Sequence, residues 1–557
     1  MAISSAELNY IQVKVNGFGA YRIVPGTTLG ELVEQLQGTL AYPAVAGIIG
    51  NHLRGFYFPL DRDCEVELVD LASEMGLKIY QRSAAYLLLK ASWDLFPGRR
   101  LMIKHTLSNG LYCEFLDGAT SDNEIEQISK RMREIVAENL PIKRIQLKKE
   151  EAKQIFAGQG QEDTVSILQY RDKDKVHVYE LEGFYEYFYG YMVNHTALLS
   201  KFNLLNYCPG MVLQTPGKND LDLQQPYHES PKLFQVYHEA KDWAGMLGTP
   251  HLAAMNAIIA RDEIDDLIRV NEALQEKKIA QIADMICNNP QIRLVLIAGP
   301  SSSGKTTFAQ RLLIQLRVNG RRPVSISLDN YFVNKELTPL DEDGDYDFEA
   351  IAALKLDLFN EHLGRLIDGE EVEVPLYDFK LGCCLPNGMP LTVPPGEPII
   401  IEGIHGLNGS LTWSIPREQK FKIYVSALTQ LNIDYANRIP TTDSRLIRRI
   451  VRDSRTRGYS ALNTIKRWPS VRRGEEKNIF PFQENADIMF NTSLVYELAA
   501  LKPLVEPLLK EIGPDHPEHV EARRLLKFLS YFRSIPSTSI PPNSIVREFV
   551  GGSWFKV

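Results

Sequence analysis

The sequence predicts an α/β protein: a C-terminal unit built on a parallel sheet, with a small β-rich unit and an α+β unit in front of it. Three observations carry this. The apolar run "IRLVLIAG" leads into the turn "GPSSSGKTT" and then the amphipathic run "FAQRLLIQLR", the strand–turn–helix order that opens a βαβ unit whose strand is buried on both faces. Two further runs, "RPVSISLD" and "EPIIIEG", each end on an acid, as strands do at the ligand edge of an open parallel sheet. Ahead of them, residues 1–70 show short alternating runs punctuated by turn residues.

At 557 residues a single core is not expected, because cores stop growing and chains divide. A net charge of -8 argues against bulk electrostatic capture of nucleic acid. The start "MAISSAELNY" has no secretory-signal pattern, and no apolar run approaches the roughly 20 residues that span a bilayer. Six cysteines without a CxxC pair read as reduced structural thiols, so the expected location is the cytoplasm, with no membrane partner.

In residues 1–70, "YIQVKVNG" and "GAYRIVP" flank an Asn-Gly turn and predict a hairpin. "TTLGELVEQLQ" is a capped helix, and "AVAGIIGN" and "CEVELVD" are strands. The order suggests a ubiquitin-like β-grasp module. In residues 71–223, "SAAYLLLKASWDLFPG" predicts an amphipathic helix with Leu87, Leu88, Ala91 and Leu95 on its core face, and "LMIKHTLSNGLYCEF" predicts a hairpin. Residues 224–290 read as a helical connector, with Ile264, Leu267, Ile268, Val270, Leu274, Ile279, Ile282 and Ile286 at helical spacing. Residues 291–510 hold the parallel sheet, and residues 511–557 form a tail packed on it.

Gly299, Ser301, Ser302, Ser303, Gly304, Lys305 and Thr306 fall in GxxxxGK[ST], with Thr307 next in the helix. Glycines let backbone N–H groups curl around phosphate oxygens, and the helix start adds its positive end. Lys305 is placed to bridge β- and γ-phosphates and Thr306 to ligate Mg²⁺, so the expected ligands are ATP and Mg²⁺. Asp329 either takes a proton from an acceptor hydroxyl, helps hold the metal, or closes a turn. Glu402 is placed to hold Mg²⁺, and His405 reads as structural. Arg445, Arg448, Arg449 and Arg452 recur at three- and four-residue intervals and predict a basic helix face that closes on transferring phosphates.

"GPSSSGKTT", "SISLDNYF", "GDYDFEA", "VPLYDF", "IIIEGIHGLN" and "SRLIRRIVRD" together resemble the phosphoribulokinase/uridine kinase family of P-loop kinases, from about Ile292 to Leu509. The resemblance implies Mg²⁺-dependent transfer of the ATP γ-phosphate to a hydroxyl. It makes Asp329 the base, with Lys305, Arg449 and Arg452 as its catalytic partners. Asp347, Tyr377 and Arg457 become acceptor-binding residues, and Thr306 and Glu402 the metal site. Uridine-cytidine kinases place a base-reading histidine after "YDF"; here Lys380, Leu381 and Gly382 follow, and Tyr459 replaces a lid arginine. Residues 1–70 resemble a TGS domain. Residues 71–223 resemble the editing domain of threonyl-tRNA synthetase, with its four metal-capable positions falling on Arg82, Tyr86, Phe188 and Met192, none a ligand type. The whole order resembles the bacterial uridine kinase-like nucleoside kinases. The leading expectation is therefore a nucleoside kinase. A family kinase for a non-nucleoside alcohol and an ATP-dependent RNA-binding regulator are the alternatives. RNA is the less favoured partner, and a homo-oligomer is left open. Removal of residues 1–225 is expected to leave a folded kinase unit if the front is regulatory, and insoluble protein if the units share a core.

Overall fold

The computed structural model describes residues 10–36, 41–171, 173–342, 344, 346–378 and 381–556. The opening "MAISSAELN" and Lys380 lie outside the described residues, as do Asp345 and Phe379 of the quoted motifs.

In the front module, strand Ile11–Val15 sits between Gly19–Ile23, antiparallel, and Cys64–Asp70, parallel. Ala44–Ile49 and His52–Arg54 complete a five-stranded sheet. Gly17 takes a positive φ of 80° in the predicted Asn-Gly turn. Thr28 and Glu31 cap helix Leu29–Gln35 reciprocally, and Val13, Val15, Leu29, Leu32 and Val66 bury between sheet and helix.

Helix Glu74–Leu95 opens the second module. Leu87, Leu88 and Ala91 are buried, whereas Leu95 is exposed at the frayed end. The helix is buried nearly all round from Ser83 to Ser92, because it is enclosed between the β-grasp sheet and its own sheets. A four-stranded sheet contains Leu101–Leu107, Gly110–Phe115, Asn203–Tyr207 and Gly210–Gln214, and a three-stranded one contains Lys143–Lys148, Lys175–Leu181 and Phe184–Glu186. Tyr86 and Phe188 meet edge to face at 5.9 Å in the same buried cluster as Met192, and Arg82 donates to Tyr191 O at 2.6 Å.

The connector is three helices: Pro231–Met246, Leu252–Ala260 and α1 (Ile264–Cys287). The predicted stripe of α1 faces inward except Val270, which is exposed. It packs on α2 (Lys305–Val318), where Arg311 pairs with Glu276 at 2.6 Å.

The C-terminal sheet contains β1 (Leu294–Ala298), β2 (Val324–Ser327), β3 (Ile399–Glu402), β4 (Lys420–Ser426) and β5 (Ile488–Asn491) in the order β2-β3-β1-β4-β5. All neighbours run parallel, and β1, buried at every residue, is its centre. α3 (Thr441–Arg452) carries the predicted arginines, and α4 (His519–Leu529) belongs to the tail.

The modules are not beads on a string. One buried apolar cluster runs from Phe156, Leu168 and Val178 of the second module, through Met255 and Ile268, to Leu312, Ile447 and the tail residues Phe528 and Phe549. A second joins Leu107, Tyr112 and Val212 to Leu233, Ala298 and Tyr424. Removing residues 1–225 would strip apolar surface from both clusters, the shared-core case that the sequence reading set against a self-standing kinase unit.

Candidate active site

The turn after β1 is shaped by two glycines. A Cβ at Gly299 would lie 1.9 Å from Val425 O, and Gly304 caps α2 at φ +82° with Ile545 against it. No residue with a side chain fits the first position. Phe308 N closes the first helical bond, to Gly304 O at 3.0 Å, leaving the N–H groups of Lys305, Thr306 and Thr307 without an intrahelical acceptor, as at any helix start. The Ser302 and Ser303 hydroxyls are buried with no hydrogen-bond partner among the described residues. Lys305 Nζ is folded back onto Gly299 O (2.9 Å) and Pro300 O (3.2 Å).

Register brings the acids to this turn. Glu402 at the end of β3 pairs with Ile297 of β1 and Ser327 of β2, and the Thr306 hydroxyl donates to its carboxylate at 3.2 Å. β2 stops two residues before Asp329, which sits in a short 3-10 turn where its N–H donates to Ser327 Oγ at 3.3 Å. Asp329 is therefore both in a turn and free to present its carboxylate. Asp329 is exposed to solvent, while protein mass around its carboxylate pushes its pKa up. Lys305, Arg457 and Arg452 pull the other way.

Burial, then Asp329, raises the Glu402 carboxyl to about 7. Glu349, a residue the sequence reasoning missed, is raised to about 7 by burial and then Glu475, against Arg449 and Lys305. Burial pushes the Lys305 ammonium down, opposed first by Glu402 and then Asp329. Three carboxylates gathered about one ammonium are an excess of negative charge. Thr306 with Glu402 is a hard-oxygen pair of the kind Mg²⁺ takes together with substrate phosphates. The residues present thus fit Mg²⁺ with a nucleoside triphosphate. Among the described residues no three His, Cys, Asp or Glu are grouped to hold a metal by themselves.

The arginines divide into two sets. Arg445 and Arg448 are fully buried. Arg445 pairs with Glu475 and donates to Ser301 O (3.1 Å). Arg448 pairs with Glu497 and donates to Thr492 O (3.1 Å). These two brace the turn from behind. Arg449 donates to Ser301 Oγ at 2.8 Å and to Asp453 at 3.2 Å. Arg452 and Arg457 approach the same Asp453 at 2.8 and 3.8 Å. Three guanidiniums sharing one carboxylate leave positive charge for phosphates.

The acceptor-side residues are more dispersed. The Asp347 carboxylate accepts the Glu349 N–H at 3.0 Å, so it shapes the loop that carries Glu349. Tyr377 packs 5.7 Å from Phe332, three residues past Asp329. His405 is buried against the backbone of Glu349 and Ala350, and burial lowers it to about 4. Gly382 takes φ +72° against Lys335, and Leu381 is exposed. A second missed residue is Glu548 of the tail, whose carboxylate accepts the Thr307 hydroxyl at 2.8 Å. Glu349 is hidden among neighbouring acids, and nothing local ties Glu548 to a turn more than two hundred residues earlier.

Residues 294–498 match the family described as "Phosphoribulokinase / Uridine kinase family". Over about a third of its length the chain is similar to threonyl-tRNA synthetases. The chain is 29% identical over 185 residues to the threonine–tRNA ligase of Pelobacter propionicus, covering 33% of this chain and 29% of that protein. It is 29% identical over 204 residues to threonine–tRNA ligase 1 of Bacillus subtilis, covering 36% and 31%. The chain thus spans about three-tenths of the length of these relatives. Among solved structures, a putative fructose transport system kinase from Silicibacter sp. TM1040 is matched at 16% identity and TM-score 0.26, over 38% of this chain and 98% of that one. A possible uridine kinase from Bacillus stearothermophilus is matched at 17% and 0.23, over 36% and 89%.

Proposed function

We propose, on the premise that residues 294–498 belong to the phosphoribulokinase/uridine kinase family, that this P-loop kinase transfers the γ-phosphate of ATP to the 5′-hydroxyl of a nucleoside. The observation that carries the reading is the placing of Asp329 beside Lys305 and the guanidiniums of Arg452 and Arg457. A phosphoryl acceptor there would find a base and a counter-charge at once.

In this reading the N–H groups of Ser303, Gly304, Lys305 and Thr306 bind the phosphate chain, with Ser301, Ser302 and Thr307 completing the cradle. Lys305 leaves its carbonyl partners to reach the β- and γ-phosphates. Thr306 and Glu402 would hold Mg²⁺, which would supply neutralisation of the phosphate charge. Asp329 accepts the acceptor hydroxyl's proton, and its upward shift brings it nearer the pH at which a base works best. Arg449 and Arg452 stabilise the charge on the transferring group, and Arg457, Asp347 and Tyr377 position the acceptor.

The absence of a histidine at Leu381–Gly382, with Leu381 exposed, favours a second reading, a non-nucleoside alcohol as acceptor. A site without a group for the base edge does not discriminate by base. ATP turnover with Mg²⁺ against nucleosides, nucleoside monophosphates and small phosphorylated alcohols separates the readings. Asp329→Asn is expected to lower kcat by roughly two to four orders of magnitude with ATP binding kept. Undiminished kcat would reduce Asp329 to its turn.

A further inference from the structure

A second concentration of positive charge lies away from the phosphate-binding loop, in the corner where the editing-like module meets the tail. It gathers around the strip Tyr187–Tyr191. Arg82 donates to Tyr191 O at 2.6 Å and Lys527 of α4 to Tyr189 O at 2.9 Å. The Arg144 guanidinium stands 5.1 Å from the centre of the Tyr191 ring. Arg171 donates to the hydroxyls of Tyr187 and Tyr531, both at 2.8 Å, and Lys173 follows it in the chain, exposed. Arg82 is pressed onto the strip closely enough that a Cβ at Gly190 would fall 2.2 Å from its guanidinium carbon.

These five cations come from four separated stretches of chain, and among the described residues none has a carboxylate within ion-pair distance. The acids of this corner are committed elsewhere: Asp443 and Glu521 both bind Arg524, at 2.6 Å, and Glu74 binds Lys78 at 2.7 Å. Burial and then the neighbouring Arg171, Arg144 and Arg82 push the Lys527 ammonium down to about 7. His177 is lowered to about 4 by burial, then Arg144 and Lys527. In a chain of net charge -8, such a concentration of positive charge without paired carboxylates is suited to an anion.

We propose that this basic corner is a phosphate-binding site, in which Arg82, Arg144, Arg171, Lys173 and Lys527 converge on the phosphate or diphosphate group of a ligand. Tyr187 of the strip is buried, 2% exposed, whereas Tyr189 and Tyr191 are half-buried and the Arg144 guanidinium covers the Tyr191 ring, so this corner offers charge ahead of an open face for stacking a base. What it recognises is the phosphate, carried by a free small molecule or by an RNA strand. The site reaches the kinase unit through α4: Arg524, one turn before Lys527, bonds both oxygens of Asp443 on α3 at 2.6 and 2.8 Å.

The test uses the full chain and reads the basic corner itself. Burial, with the neighbouring cations, lowers the Lys527 ammonium to about 7, so an amine-reactive reagent labels it near neutral pH, and mass spectrometry of its peptide gives the rate. Inorganic pyrophosphate, compared with sodium chloride at equal ionic strength, is expected to slow labelling of Lys527 roughly tenfold at saturation. Arg144→Gln and Lys173→Gln, both at accessible positions, are each expected to raise the pyrophosphate concentration needed by roughly tenfold. Protection by a short single-stranded RNA and not by pyrophosphate, weakened by the same substitutions, would assign the phosphate to a strand. No protection beyond chloride from either probe, or protection unchanged in both variants, would overturn the site.

Discussion

Glu402 and Glu349 both hold their protons to about 7, and this sets how the free site answers pH. A carboxyl raised above its unfolded value adds stability that is complete below the unfolded pKa and is lost as pH rises through the folded one. The nucleotide-free protein therefore spends part of its stability at pH 8 on keeping these acids ionised, and a divalent cation relieves that cost. As pH falls through about 7, Glu402 is protonated, and in its proposed role Mg²⁺ would have to displace the proton. The Mg²⁺ concentration for half-maximal turnover is expected to rise from pH 8 to pH 6. Glu402→Gln should abolish that rise and leave a requirement raised at both pH values by roughly tenfold or more. A variant with the parent's Mg²⁺ dependence would remove Glu402 from the metal site. At this scale the sequence was legible where a residue type has a mechanical reason at its spacing, as at Gly299, Lys305 and Glu402. It was not legible for Asp347 and Glu349: both are acids of one short motif, and only the fold shows which one shapes the loop and which faces Lys305.

At the scale of elements, the unexpected arrangement is the tail against the start of α2. Glu548 accepts the Thr307 hydroxyl, and Ile545 lies against Gly304, so a carboxylate stands at the helix end that favours phosphate. Like charges at such range repel. Glu548→Gln keeps the shape and one acceptor for Thr307 but removes the charge. It is expected to tighten ATP binding severalfold, measured by calorimetric titration of the full chain with Mg²⁺ present. Weaker binding in the variant would instead make Glu548 a support that holds Thr307 in place. Elements with a strong period, such as β1, α2 and α1, were readable in advance. Pro231–Met246 and Leu252–Ala260 were merged into one connector, because their apolar residues face two different neighbours and follow no single stripe. Arg445 and Arg448 share a helix with Arg449 and Arg452, yet only contact with Glu475 and Glu497 shows that they serve as buried braces.

For the whole molecule, composition and motif order made the succession of modules legible. That they share a core was not, since sequence patterns mark buried faces without saying what covers them. The chain lacking residues 1–225 is expected to be insoluble, or to melt without a cooperative transition. A soluble, cooperatively melting product that binds ATP would show that the apolar joints are dispensable. The polar joint between modules makes a sharper prediction. Arg100 approaches Asp163 at 3.2 Å and Glu186 at 3.7 Å, while the loop of Asp434 inserts beside them, Tyr435 N donating to Asp163 at 2.6 Å. Asp163, Glu186 and Asp434 are all buried, and one guanidinium cannot neutralise three acids. Burial raises Glu186 to about 8 and, with Asp163, Asp434 to about 7. By the same sign, the stability these acids give is present in acid and lost as pH rises through about 7 to 8. Glu186→Gln is neutral at every pH, so the difference in Tm between variant and parent should move in the variant's favour from pH 6 to pH 9. A difference that moves the other way would show that Arg100 holds Glu186 as an ionised partner, and that the joint closes on charge and not on a shared proton.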